Sequence, residues 1–189
     1  MKWKIPLIVI ILGLFILFLV LPARAKFDEV YEFIKYLVKS RHPDASNEEA
    51  SKIASSVLKW CDKRGTNLWT ILAIIYQEST FHPDAMGNHV SRGLMQLTKP
   101  ALDQLVNIKW IKSYNWDNLF DIDYNLQLGT LYYLYCTKLA KNNRREAVAR
   151  YRKTSLPDSP VAQSYADSVL NKRELILSEF QDFKKNLRR

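Results

Sequence analysis

Glycine is scarce in this sequence, with 5 among 189 residues, and none of them gathers into a phosphate-cradling loop. Nucleotide chemistry therefore has no visible seat, and neither of the 2 cysteines stands in a nucleophile motif. Proline is also sparse, at 7, and no repeat or low-complexity stretch interrupts the chain, so nothing marks a linker. Convincing alternation of apolar and polar residues is missing as well, which leaves helical periodicity as the dominant signal. Acidic residues are outnumbered 19 to 28 by Lys and Arg, giving a formal net charge of +9. The basic clusters are Arg144-Arg145, Arg150 to Lys153, Lys172-Arg173 and Lys184 to Arg189. Such clusters suit polyanions, although solvated helix faces account for most of the individual charges.

Residues 1–25 differ from the rest. Lys2 and Lys4 precede an uncharged run from Ile5 to Leu21, and Ala23-Arg24-Ala25 gives the small-residue spacing of a cleavage site. The run is 17 residues long (21 − 5 + 1), which just reaches the lower limit for a bilayer span. A cleaved export signal and a retained membrane anchor through residues 5–21 both fit. No cysteine near residue 25 offers a site for lipid modification. The remaining 189 − 25 = 164 residues, 26–189, have the size of one domain with a real core. In an exporting compartment Cys61 and Cys136 are able to form one disulfide. Both sit on apolar helical faces, which favours two buried free thiols.

The periodicity predicts an all-α chain with one short hairpin at most, in the 84–93 loop. Helices are expected over Phe27 to Val38, from Asn47 to the Lys63-Arg64-Gly65 stop, and from a Thr66 or Asn67 cap to Glu78. Further helices are expected over Pro100 to Leu105, Tyr124 to Ala140 behind an Asp121-Ile-Asp123 cap, Arg145 to Arg152, and Val161 to Leu187. Trp110 to Phe120 reads as an aromatic-rich connection.

The third of these helices carries the informative residue. Ile71, Ile74, Ile75 and Glu78 fall at i, i+3, i+4 and i+7, so a carboxylate lies on the core-facing stripe. An ionised carboxylate is costly to bury alone. Glu78 therefore pairs with a buried Arg or Lys, accepts hydrogen bonds, or keeps its proton near neutrality, and the last of these makes a general acid. Pro83 ends the helix just beyond it, facing a loop that returns to Gly93.

Glu78-Ser79, Phe81, Pro83, Ala85 and Gly93-Leu94-Met95-Gln96, with 96 − 78 = 18 residues from the Glu to the Gln, resemble the soluble lytic transglycosylase family 1. The resemblance covers roughly Ile71 to Leu170 and implies a lysozyme-like helical domain. It also implies an exported enzyme of the periplasm or cell envelope, acting without cofactor or metal as a monomer on peptidoglycan glycan strands. In that family the Glu is the single acid and base, a role that falls on Glu78. By the same resemblance Ser79, Gly93, Met95, Gln96, Asn125 and Tyr151 contact or shape the substrate site, with the Tyr151 hydroxyl approaching the carboxylate. Two departures stand out: Arg152-Lys153-Thr154 replaces the usual Asn-Ala-Gly after the motif tyrosine, and Gly87-Asn88 replaces a serine. Asn88 or Ser91 is placed to supply the missing hydrogen-bonding group.

Nucleic acid is not an expected partner, because export removes it from reach. His82, Asp84 and His89 lack a recognised metal-ligand spacing. A hydrolytic muramidase would need a second carboxylate, for which Asp84, Asp117 and Asp121 are the candidates. A non-catalytic wall-binding protein is the remaining alternative.

Overall fold

The computed structural model describes residues 28–88, 90–153 and 155–187. The export or anchor segment, His89 and Thr154 lie outside these described residues. Helix α1 occupies 28–41 and is followed by α2 (Asn47–Arg64) and α3 (Leu68–Ser79). A small antiparallel sheet comes next, ordered β1 (Met86–Gly87), β2 (Ser91–Arg92) and β3 (Leu97–Thr98). Then come α4 (Lys99–Asn107), a 3-10 turn at Asp117–Phe120, α5 (Ile122–Leu139), α6 (Arg144–Arg152) and α7 (Pro160–Leu187). Among the described residues no helix is long and apolar enough to cross a membrane.

The helix starts follow from side-chain caps. Ser46 accepts from the Glu49 N–H at 3.0 Å, Asn67 from Thr70, Asp121 from Tyr124 and Asn143 from Glu146. Of the two expected caps for α3, Asn67 is the one used. Helix α2 stops at Gly65, whose φ of 63° is the left-handed conformation that a residue without Cβ adopts freely.

Helix α3 is buried from Thr70 through Ile75, so it is apolar around its circumference and sits inside the domain. Helices α2 and α7 pack against it, and α5 and α6 complete the surround. Phe33 of α1 meets Trp69 of α3 and Phe180 and Phe183 of α7 at ring-centroid distances of 6.2, 5.0 and 5.5 Å, which ties the first helix to the last. Asp123 anchors α5 on α2, accepting from Ser56 Oγ (3.0 Å), Trp60 Nε1 (2.9 Å) and Lys59 Nζ. Cys61 and Cys136 are both free and buried, and burial pushes each thiol pKa up to about 12, which makes them packing groups.

The expected short hairpin is present, with Met86 opposite Arg92 and Gly87 opposite Ser91. A third strand adds Ser91 opposite Thr98 and Arg92 opposite Leu97. Two-residue strands have no room for alternation, so β3 leaves no periodic trace in the sequence.

Candidate active site

Glu78 occupies the last turn of α3, one residue before the helix ends at Ser79. The ending is forced: Thr80 and Phe81 both take left-handed backbone, with φ of 50° and 65°. Such conformations cost a non-glycine residue about 1–2 kcal/mol each. Full burial of the Phe81 ring and the His82 contacts to the Ser79 and Thr80 carbonyl oxygens, at 3.0 and 3.1 Å, hold them.

Two cavities share Glu78 and Arg152 in their walls. The larger, about 660 Å³, runs past Ser91, Gln96, Gln104, Tyr135 and Tyr151. The smaller, about 380 Å³, is bounded by Gln77, Ser164, Tyr165 and Ser168. Glu78 and Arg152 therefore form a wall common to both cavities. Glu78 is the one carboxylate among the described residues that line either cavity.

The Glu78 carboxyl is half-buried, and its Oε1 accepts a hydrogen bond from the Tyr165 hydroxyl at 2.5 Å. Burial raises its pKa above the ordinary glutamate value, outweighing the Tyr165 hydrogen bond and the Arg152 charge, which both lower it. Tyr151 and Tyr165 are themselves pushed well above the ordinary tyrosine value, first by burial and then by the charge of Glu78, so both hydroxyls keep their protons. The result is a carboxyl group able to hold a proton at higher pH than a solvated one, aimed by a tyrosine O–H.

The other expected site residues divide. Tyr151 and Gln96 line the larger cavity beside Glu78. The Tyr151 hydroxyl, however, donates to the Met95 carbonyl at 2.7 Å, and Tyr165 takes the place by the carboxylate expected of it. Both amide protons of Gln96 go to the Ala85 and Gly93 carbonyls (2.8 and 3.0 Å), and its Oε1 accepts from Ser91 (2.7 Å). Gln96 therefore ties the hairpin together and keeps no donor for a ligand. Ser91 brings a hydroxyl to the cavity wall, whereas Asn88 lies exposed outside the lining.

Ser79, Gly93, Met95 and Asn125 do not reach the cavity. Ser79 donates to the Ile75 carbonyl of its own helix at 3.1 Å. Asn125 is fully buried: its Oδ1 accepts from the Met95 N–H (2.9 Å), and its Nδ2 donates to the Arg92 and Leu119 carbonyls (3.0 and 2.8 Å). Met95 packs over Gly129, where a Cβ would stand 2.3 Å from its sulfur. Gly93 is needed for clearance inside the fold, next to Leu119 and Asn125. These four hold the loop that shapes the cleft and stand outside the lining of either cavity.

Tyr165 is the site residue that sequence reasoning missed. It sits on the apolar face of α7 with Ala162, Ala166 and Val169, a pattern that reads as core. The one available signal was its hydroxyl, since a buried tyrosine O–H needs a partner and the site offers Glu78.

The "Transglycosylase SLT domain" family matches residues 55–159, which is 105 of 189 residues. The chain belongs to this family. A 70-kDa soluble lytic transglycosylase in complex with bulgecin A shares 21% identity with this SLT domain protein, over 76% of this chain and 26% of that one, with a TM-score of 0.60. The 70-kDa soluble lytic transglycosylase from Escherichia coli gives 18% identity, 82% and 29% coverage and a TM-score of 0.60. An inactive mutant of lytic transglycosylase Slt from Pseudomonas aeruginosa gives 21%, 67%, 24% and 0.58. At these identities the likeness shows a shared fold, and the chain spans about a quarter of the length of each of those structures. A search of curated protein sequences gives no significant match.

Proposed function

We propose that this SLT domain protein is a peptidoglycan lytic transglycosylase that cuts the bond between N-acetylmuramic acid and N-acetylglucosamine without water. The observation that carries the reading is a half-buried carboxyl with a raised pKa, the one carboxyl among the described residues lining two cavities that share it, hydrogen-bonded by Tyr165. Protonated Glu78 gives its proton to the glycosidic oxygen as the bond breaks through an oxocarbenium-like state. The resulting carboxylate, accepting from Tyr165 and facing Arg152, then takes the proton from the sugar's own 6-hydroxyl. That oxygen attacks the anomeric carbon, and the product is a 1,6-anhydro sugar end.

One carboxylate suffices for this sequence of steps. A hydrolytic muramidase requires a second, about 5–9 Å from the first. Asp117 is engaged by Arg92 (2.8 Å), and Asp121 caps α5 while accepting from Lys52 (2.8 Å). Asp84 is exposed outside the lining of either cavity. A purely glycan-binding role gives no reason to bury a carboxyl and aim it with a tyrosine. The proposal includes action as a monomer and export through residues 1–25 to the cell envelope, the export supported by the apolar run after Lys4.

Digestion of purified peptidoglycan by the full chain, with released fragments read by mass spectrometry, tests this. Anhydro-ended fragments are expected. Reducing ends would replace the proposal with a muramidase, and binding without release would leave a wall-binding protein.

A further inference from the structure

Arg152 is the one cation among the described residues lining the two cavities, and it lines both. Its surroundings differ from those of five of the other seven described arginines. Arg41, Arg92, Arg145, Arg150 and Arg173 each hold a carboxylate. Arg152 makes no ion pair or hydrogen bond with any described residue. Its guanidinium is exposed and lies over the Tyr165 ring, 6.0 Å from the centroid, on the residue that aims Glu78. At that distance the ring face attracts the guanidinium while its planar donor fork stays free.

The charge balance of the cleft sharpens the point. Before reaction Glu78 must carry its proton, and a neutral carboxyl does not compensate the guanidinium beside it. The loaded cleft therefore presents an unmatched positive charge next to the bond to be cut, which favours an anion there. In a strand of alternating N-acetylglucosamine and N-acetylmuramic acid, the acid closest to the ring is the lactyl group of the muramyl sugar. It is a free carboxylate where the peptide stem has been removed and a neutral amide where the stem is attached.

Resting on the assignment of Glu78 as the acid that cuts a glycan strand, we infer that Arg152 binds the lactyl carboxylate of the muramyl sugar at the scissile bond. The site thereby favours stem-free glycan over stem-bearing glycan. Arg152 stands where the family pattern has an asparagine, so the preference belongs to this chain's own departure from that pattern.

The test measures binding without turnover, using the full chain carrying Glu78→Gln. Three tetrasaccharide probes are titrated by calorimetry: stem-free with the lactyl carboxylates free, stem-free with them converted to methylamides, and stem-bearing. The free acid is expected to bind about tenfold more tightly than the methylamide, the scale of one charge-assisted contact at a solvent-facing site. Adding Arg152→Asn should erase the difference, and Arg152→Lys should keep part of it. Equal binding of acid and methylamide would overturn the inference, as would a preference that survives Arg152→Asn at an unchanged melting temperature. If the stem-bearing probe binds best and Arg152→Asn removes that advantage, a stem carboxylate is the ligand and the lactyl assignment falls. The end groups released by the unmutated chain are read separately. Reducing ends alongside an Arg152-dependent acid preference would refute the lytic mechanism and not the carboxylate contact.

Discussion

Replacing Gly93 by alanine tests whether the Gly93 to Gln96 turn is scaffold or substrate contact. Gly93 has φ of +75°, a conformation that costs an L-residue with a Cβ about 1–2 kcal/mol. The added Cβ would also stand 2.2 Å from the Leu119 carbonyl oxygen, 2.3 Å from Asn125 Nδ2 and 2.8 Å from its Cγ. Neither neighbour yields easily, because one is backbone and the other is a fully buried amide fixed by three hydrogen bonds. Displacing Asn125 leaves at least one buried polar group unpaired, at about 1–3 kcal/mol. Together these terms predict a loss of about 3–5 kcal/mol, a large share of the roughly 5–15 kcal/mol that holds a domain folded. Urea unfolding followed by tryptophan fluorescence should show a lower midpoint at an unchanged slope, with activity tracking the folded fraction. A loss below about 1 kcal/mol, accompanied by a higher KM, would refute the scaffold assignment and return Gly93 to the substrate surface.

Other consequences follow from the same geometry. Tyr165→Phe removes an interaction that lowers the Glu78 pKa, so the alkaline limb of the pH–rate profile should move upward while kcat falls about tenfold from loss of aim; an unmoved limb would contradict the hydrogen bond. Because the folded chain keeps the Glu78 proton after the unfolded chain has lost it, the stability that proton brings is complete at low pH. It is lost as pH rises through the raised pKa. Glu78→Gln should accordingly match the parent near pH 4 and melt higher at about pH 8, as read by thermal scans at both. Gly129→Ala places a Cβ 2.3 Å from the Met95 sulfur and 2.9 Å from Met95 Cβ. It should shift the Met95 carbonyl that Tyr151 holds, costing about 1–3 kcal/mol of stability in denaturant titration together with activity.

The parts of the site that were legible in the sequence are those fixed by local rules. Glu78 showed itself because helical periodicity alone puts a charge at the i+7 position of an isoleucine stripe. Asn67 and Asp121 were legible as caps because a cap is a relation between residues three apart. Gln96 and Asn125 were legible as important but not in their roles. Whether an amide faces a ligand or closes a loop depends on which carbonyls the fold brings to it, and those of Ala85, Arg92 and Leu119 come from separate segments. Tyr165 was hidden for the same reason, since its partner lies 87 residues away. Arg152 stood out as a departure, but that Glu78 is the one carboxyl among the described residues lining its cavities is a tertiary fact.

The most direct measurement of the central claim is the digestion of purified peptidoglycan in ¹⁸O-labelled water by the full chain and by its Glu78→Gln variant, with fragment ends read by mass spectrometry. The account predicts unlabelled 1,6-anhydro ends from the parent and no release by the variant. Labelled reducing ends, or the same fragments from both proteins, would contradict it.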